Sequence, residues 1–341
     1  MKISLVLPTN RTSYAAVARV LDSASLDPDK FELIVRDNSE NEHKRALLSK
    51  IESPNMRLVT VAGCGAFDNL VEALRLASGE FVYLLGDDDW VSARGLHQLH
   101  ALAMESEADA SVGCVTGAYL LETSNATGFF QYSGLDSPEP LKRLSSYLSA
   151  NTTNLLCFSA ARRSLATFCL AFVGALPYKF SFHDQLISLL YLALGRVLQI
   201  NRVVYFYDLG DWETPEGSLA KDRAFYNHAG LPLEYDRLHW LFCALEAALL
   251  LKSQLVAEKA HYNTAPLADL WFQTMYHRFK HHNRESGYEQ TIANVETLKF
   301  RKALLSQPTV DLNGLLLDLC DLLEIADKAG GERYFSFWST L

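Results

Sequence analysis

Basic charge is scarce in this chain. Its 31 lysines and arginines face 40 aspartates and glutamates, a formal net charge of −9. A protein that grips nucleic acid needs the opposite balance, because its affinity comes from displacing counterions from phosphates with cationic side chains. Broad nucleic-acid binding is excluded on that ground; a small phosphorylated ligand held by local groups is not. Cysteines at metal-ligand spacing are also missing. The six present, Cys64, Cys114, Cys157, Cys169, Cys243 and Cys320, are scattered, and several fall inside apolar segments, as buried free thiols in a reducing compartment do. No apolar run reaches the length of a membrane span, since the nearest, Leu241 to Leu251, is interrupted by Glu246. The opening Met1-Lys2-Ile3-Ser4-Leu5-Val6-Leu7-Pro8 has too short a run for a secretory leader and stops at proline, so it reads as a first strand. Internal repeats and low-complexity segments are absent too. The expectation is a cytoplasmic protein, peripheral at most to the inner face of a membrane.

Apolar sequence is abundant, 49% of 341 residues, enough for one large domain or two ordinary ones. The most uneven stretch is Gly79-Glu80-Phe81-Val82-Tyr83-Leu84-Leu85-Gly86-Asp87-Asp88-Asp89-Trp90. Phe81 to Leu85 is uncharged and has the length of a strand buried on both faces, as inner strands of parallel sheets are. It runs straight into three carboxylates. In open α/β sheets ligands bind beyond the carboxyl ends of the strands. Adjacent carboxylates repel unless a cation or hydrogen-bond donors compensate them, and hard oxygens at that density suit Mg2+ or Mn2+ shared with substrate phosphates. The plainer alternative is an acidic turn in which one aspartate caps the next helix.

The same alternation precedes this stretch. Strands are predicted at Ile3 to Leu7, Glu32 to Arg36 and Met56 to Val61, with helices at Tyr14 to Leu21, His43 to Ile51 and Asn69 to Ala77. Four strands alternating with helices predict a parallel sheet with right-handed crossovers. Thr9, Asp37, the Gly63-Cys64-Gly65 loop and Asp87 to Asp89 then share one sheet edge. Farther on, a helix from Ala93 to Met104, strands at Ala110 to Gly113 and Ala118 to Leu121, and a polar loop through Ser137 are expected. A strand at Leu155 to Ser159 and a helix from Arg162 to Phe172 follow. Asp184 reads as N-cap of a helix from Leu186 to Leu194, and Val197 to Tyr207 as a last strand or a pair of short strands. Long helical patterns at Tyr235 to Val256, Leu267 to His282, Gln290 to Leu305 and Leu315 to Ala329 put a boundary near Gly217.

Three segments, in this order and spacing, carry a family resemblance. They are Ser4-Leu5-Val6-Leu7-Pro8-Thr9-Asn10-Arg11, Phe31-Glu32-Leu33-Ile34-Val35-Arg36-Asp37-Asn38-Ser39, and Asn69 followed by Ala77-Ser78-Gly79-Glu80-Phe81 and the acids. Over roughly the first hundred residues the chain resembles the family 2 glycosyltransferases of the GT-A fold, which move a sugar from a nucleotide-diphosphate donor to an acceptor with inversion. His183-Asp184-Gln185 is similar to the segment that carries their catalytic base. The resemblance implies an α/β fold: a GT-A type, mostly parallel nucleotide-binding sheet flanked by helices over residues 1–216, with a nucleotide-sugar half (1–105) and an acceptor half (106–216). A helical C-terminal subdomain (217–341) follows, on which the resemblance is silent.

For the site, the resemblance implies donor contacts from Pro8, Thr9, Arg11, Asp37, Asn69 and Asp87, Mn2+ or Mg2+ at Asp88 and Asp89, and a general base at Asp184. The partners implied are a nucleotide-diphosphate sugar and a saccharide or lipid-linked acceptor, in surface polysaccharide or glycoconjugate synthesis. The Gln-x-x-Arg-Trp signature of processive members is absent, so single additions are expected. Two positions depart from the pattern: Arg36-Asp37 replaces a pair of acids, and Gly86 replaces the first acid of the metal motif.

Each role has a plainer counterpart. Asp37 contacts the base or only builds a turn with Ser39; Arg11 meets diphosphate, sugar or solvent. Asn69 touches phosphate or caps its helix, and Asp184 is a base or a cap. Tyr207 and Trp212 pack on a sugar or in the core. The run Arg278-Phe279-Lys280-His281-His282-Asn283-Arg284 is a solvated helix end or an attraction for a lipid-linked diphosphate. Two further readings of the chain stand beside the first. A sugar nucleotidyltransferase would need a glycine-rich, basic first loop that is not there. A catalytically degenerate GT-A-like module is favoured by Gly86 and the single acid Asp37.

Overall fold

The computed structural model describes residues 1–341 except 24–25, 52, 151–153, 180–182, 211–212, 286–294 and 308–309. It divides into two compact units, Met1–Gly174 with Leu190–Gly210, and Ala175–Leu189 with Asp211–Leu341. Relative to a boundary near Gly217, the segment 175–189 groups with the later residues, and Gly217 itself lies inside a helix.

The first unit is built on one sheet. Its strands are β1 (Ile3–Thr9), β2 (Phe31–Asp37), β3 (Met56–Thr60), β4 (Phe81–Leu84), β5 (Trp90–Val91), β6 (Val112–Glu122), β7 (Thr127–Phe130), β8 (Ala160–Arg162) and β9 (Arg196–Asp208). The order is β3-β2-β1-β4-β8-β6-β9-β5, with β7 beside β6. The pairs among β1, β2, β3 and β4 are parallel, joined by α1 (Tyr14–Ser23), α2 (Glu42–Leu48) and α3 (Ala66–Arg75). From β8 onward the sheet is mixed: β8 runs antiparallel between β4 and β6, while β6 and β9 are parallel. The helices α4 (Ala93–Glu105), α5 (Pro140–Ser149) and α6 (Arg163–Ala175) complete this part of the chain.

Burial explains the central strands. Ile3, Leu5, Val6 and Leu7 of β1 and Phe81 to Leu85 at β4 are all buried, the pattern of strands covered on both faces. Gly79 lets the chain enter β4 close to β1, because a side chain there would stand 2.6 Å from the Lys2 carbonyl oxygen and 2.7 Å from Ser4 Oγ. The register pairs Thr9 with Asp37 and Asp37 with Thr60, so the carboxyl ends of three strands finish level. Just past β4, Leu85 N still donates to Val6 O. The chain then turns through Gly86 to Asp89 and enters β5, which pairs Trp90 with Phe206 and Val91 with Tyr205. The Trp90 indole lies between the Arg19 guanidinium, 3.4 Å from its ring centre, and the stacked Phe206 ring at 5.2 Å.

Two expectations for this unit change. The separate strands at Ala110 to Gly113 and Ala118 to Leu121 are one strand, β6, whose register against β9 slips at Gly113 and Gly117. Glycines that read as a break are bulges in a continuous ladder. Leu155–Cys157 is a turn of 3-10 helix with all three side chains buried, and the strand comes after it, at β8. A short apolar run does not distinguish the two by pattern. All six cysteines are free thiols; Cys64 alone is half-buried and the other five are buried.

The second unit is helical. It holds the start of α7 (His183–Leu194), then α8 (Pro215–His228), α9 (His239–Lys252), α10 (Gln254–Ala260), α11 (Ala265–Glu285), α12 (Val295–Ser306), α13 (Leu312–Ala326) and α14 (Lys328–Ser339). The pattern from Tyr235 to Val256 is not one helix. A 3-10 turn at Leu233–Leu238 leads into α9, and Ser253 then caps α10 by accepting from Val256 N. α9 is buried nearly all round and packs along α11. Inside it, Glu246 accepts a hydrogen bond from Tyr334 Oη at 3.0 Å. Among the described residues no single helix is long and apolar enough to cross a membrane; the pair Leu233–Lys252 and Gln254–Ala260 reaches that length and composition only across a 59° bend.

Candidate active site

A buried ion pair anchors the level strand ends. Asn41 caps α2 by accepting from Lys44 N, which sets Lys44 in the first turn, over the end of β2. The Lys44 ammonium donates to Asp37 Oδ1 (2.8 Å), Thr9 Oγ1 (3.0 Å) and the Arg11 carbonyl oxygen (2.6 Å). All three of its donors are therefore used, which is what makes a buried charge tolerable. Asp37 Oδ1 also accepts from Ser39 N at 3.1 Å, and Arg45 Nε stands 3.6 Å from Oδ2. The side chains of Asp37 and Lys44 are both 0% exposed. Through Oδ1 Asp37 holds the β1 and β2 loops together, while its Oδ2 accepts no hydrogen bond from the described residues and faces Arg45 Nε at 3.6 Å. Lys44 is the functional residue that sequence reasoning missed; its signal was the N-cap at Asn41.

Asn69 does not cap α3: it is buried inside that helix, whose N-cap is Gly65. Its Nδ2 donates to Arg36 O and Asn38 Oδ1, each at 3.0 Å, and its Oδ1 accepts from Arg36 Nη1. Asn38 Nδ2 in turn donates to Cys64 O at 2.6 Å. These bonds tie the end of β2 to the Gly63–Gly65 loop.

The three acids after β4 separate into two kinds. Asp89 is buried, accepting from Tyr205 Oη (2.6 Å) at Oδ2 and from Asp208 N (2.8 Å) at Oδ1. Burial, with Asp88 beside it, pushes its carboxyl up to about 7. It is turned into the protein as a brace on β9, which corrects its expected role as a metal ligand. The missing acid at Gly86 has a steric reason: a side chain there would run into the Asp89 carboxylate and stand 3.1 Å from Tyr205 Oη.

Asp87 and Asp88 keep open surface, with side chains 17% and 39% exposed. Thr9 Oγ1 donates to Asp87 Oδ2 and Arg11 Nε to Asp87 Oδ1, both at 2.9 Å, while Arg11 Nη2 pairs with Asp88 Oδ2. Burial raises the Asp88 carboxyl above its ordinary value and Asp87 adds to the rise, against the opposing charge of Arg11. Pro8, half-buried in β1, lies opposite Arg36 of β2. One edge thus gathers Pro8, Thr9, Arg11, Asp87 and Asp88 over the Asp37–Lys44 pair.

Among the described residues no three His, Cys, Asp or Glu side chains converge as a metal cage. Asp87 and Asp88 offer hard, partly exposed oxygens already neutralised by a cationic side chain. That donor set fits a divalent ion of the Mg2+ kind, which binds through one or two carboxylates with the rest of its shell from water and substrate phosphates.

Asp184 belongs to the second unit. It is not an N-cap: α7 begins at His183, so Asp184 lies within the first turn, half-buried, with Oδ1 accepting from Gln185 N at 2.6 Å. A carboxylate there is favoured by the helix N-terminus. His183 is buried, and burial drives its imidazole down to about 3, so it is neutral and tunes nothing by charge near neutrality. Cys243 Sγ donates to Gln185 Oε1 at 3.5 Å.

Tyr207 is half-buried beside Phe158, 5.9 Å between ring centres; Trp212 lies outside the described residues. The basic run of α11 is divided rather than a single face. Arg278 sits over Trp240 at 5.6 Å, Phe279 and Asn283 are buried, and Lys280 donates to Gln307 O at 2.7 Å.

Residues 4–163 match the model of glycosyl transferase family 2. No curated protein matches the chain by sequence. Among solved structures, the chain is similar to the crystal structure of S. aureus TarS 1–349, at 15% identity and a TM-score of 0.55, covering 100% of this chain and 91% of that one. The same TarS segment in complex with UDP-GlcNAc gives 14% identity and 0.56 with the same coverage. The longer TarS structure gives 16% and 0.51, covering 100% of this chain and 55% of that one. At these identities the likeness is one of GT-A fold.

Proposed function

From the match of residues 4–163 to glycosyl transferase family 2 we propose a metal-assisted transfer of a sugar, with inversion, from a nucleoside diphosphate to an acceptor hydroxyl. The observation that carries this reading is the meeting of Thr9, Arg11, Asp87 and Asp88 beyond the ends of β1 and β4. The sheet runs β3-β2-β1 in one direction and passes to β4 in the other, and such a switch point opens the crevice where α/β sheets bind nucleotides. TarS has been crystallised with UDP and with UDP-GlcNAc, so UDP is the first nucleotide to test.

In this reading Thr9 and Lys44 fix the floor of the donor crevice, and Asp88, with Asp87 beside it, holds Mn2+ or Mg2+. A divalent ion held there would supply charge to offset that developing on the departing nucleoside diphosphate. Asp184 takes the proton of the acceptor hydroxyl as its oxygen attacks the anomeric carbon from the face opposite the leaving group, a contribution of about two to four orders of magnitude in rate. The acceptor is a saccharide or lipid-linked saccharide, extended by single additions in surface polysaccharide or glycoconjugate synthesis. The protein works in the cytoplasm, at most peripheral to the membrane. The steric reason for Gly86 removes one argument for a degenerate binding module.

Asp88→Asn and Asp184→Asn, made separately and checked for folding by circular dichroism, should each abolish transfer from a panel of sugar nucleotides; normal turnover in both rejects the assignment. Calorimetry with UDP, GDP and CDP, with and without Mn2+, names the base. Nucleotide binding with neither transfer nor hydrolysis would turn the reading toward a binding module.

A further inference from the structure

We propose that Arg11 is an exchangeable counter-ion that couples metal binding to nucleotide binding: its guanidinium neutralises the acid turn in the free protein and passes to the donor's diphosphate when a metal–nucleotide complex takes the carboxylates. The inference rests on the donor reaction proposed above.

Its basis is the bridge itself. Arg11 Nε reaches Asp87 Oδ1 at 2.9 Å and Nη2 reaches Asp88 Oδ2, so one guanidinium occupies the ground between two neighbouring carboxylates. A divalent ion entering alone would have to break that bridge and leave two cations side by side. Asp87 and Asp88, with no third ligand converging among the described residues, give it little in exchange. An ion entering with a diphosphate brings the displaced guanidinium a new anion whose oxygens its planar fork can engage in bidentate fashion. The exchange needs no movement of the loop. Lys44, locked on Asp37, holds the Arg11 carbonyl oxygen at 2.6 Å, while the Arg11 side chain remains 35% exposed. The backbone is a fixed pivot and the side chain swings from it. Because coupling is reciprocal, nucleotide must tighten metal to the same degree that metal tightens nucleotide.

The test is Mn2+ binding to the full chain, read from the electron paramagnetic resonance signal of the free aquo ion, with and without UDP, GDP or CDP. Wild type should bind Mn2+ weakly alone and at least about fivefold tighter with the cognate nucleotide, the lower bound of ordinary coupling. Arg11→Gln should bind Mn2+ alone more tightly than wild type and lose most of the nucleotide enhancement. Arg11→Lys, which keeps the charge but not the fork, should fall between them, and it decides the matter should the glutamine variant fail to fold. Unchanged Mn2+ affinity and unchanged enhancement in the variants would overturn the exchange while leaving the donor reading intact. Wild type that binds neither Mn2+ nor any of the nucleotides would overturn both.

Discussion

Tyr205, on β9, donates its hydroxyl proton to Asp89 Oδ2 across 2.6 Å, and its own Oη accepts from Gly86 N at 2.9 Å. One phenol therefore pins both ends of the turn that carries Asp87 and Asp88. Tyr205→Phe leaves a buried amide and a carboxylate oxygen without this partner, a loss of about 1–3 kcal/mol. The expected result is a lower urea midpoint together with weaker Mn2+–nucleotide binding. An unaltered midpoint would mean that the turn holds its shape without β9.

Lys44 and Asp37 are both wholly buried. Removing one charge strands the other, so Lys44→Met should cost about 3–5 kcal/mol. Asp37→Leu combined with Lys44→Met should recover part of that loss, since no charge is then left buried. A double-mutant cycle by denaturant unfolding measures the coupling, and strict additivity would contradict the pairing described here.

At Gly86, Ala already meets the Asp89 carboxylate. Gly86→Ala should destabilise by about 1–3 kcal/mol, as overpacking does. Gly86→Asp, which restores the acid usual in the family, should lower both stability and metal binding. Differential scanning calorimetry and Mn2+ titration check the pair.

Glu246 supplies a pH dependence. Burial raises its carboxyl from 4.5 to about 8, against the lowering effect of the Tyr334 hydrogen bond, so the folded protein holds a proton that the unfolded chain releases. Its contribution to stability is full below about 4.5, declines as the pH rises and is spent above about 8. Glu246→Gln, neutral throughout, should show a shallower fall in melting temperature over that window and be the more stable protein at its alkaline end. Parallel melting curves from pH 5 to 9 would decline this explanation.

The βα alternation was legible because continuous apolar runs such as Phe81 to Leu85 are bounded by polar turns, and that local pattern fixes the direction of the strands. The gathering of Thr9, Asp87 and Asp88 followed from it. What Asp89 and Asp37 do was not legible, since each is decided by a partner from another element. Tyr205 comes 116 residues after Asp89, and Lys44 reaches back from α2 to three separate groups. A run of three aspartates announces charge but not which carboxylate turns inward; that depends on the strand that closes over it. The continuity of β6 was hidden for a related reason, because glycine marks a break and a bulge with the same letter.

Trp90 follows Asp89 directly and is clamped between the Arg19 guanidinium and the Phe206 ring. The chain thus carries a fluorophore at the rim of the acid turn, in an environment that a small displacement of that turn alters through the cation above the indole. Donor binding should be visible as a change in intrinsic emission, absent from a Trp90→Phe variant, so occupancy can be followed in real time on unlabelled protein.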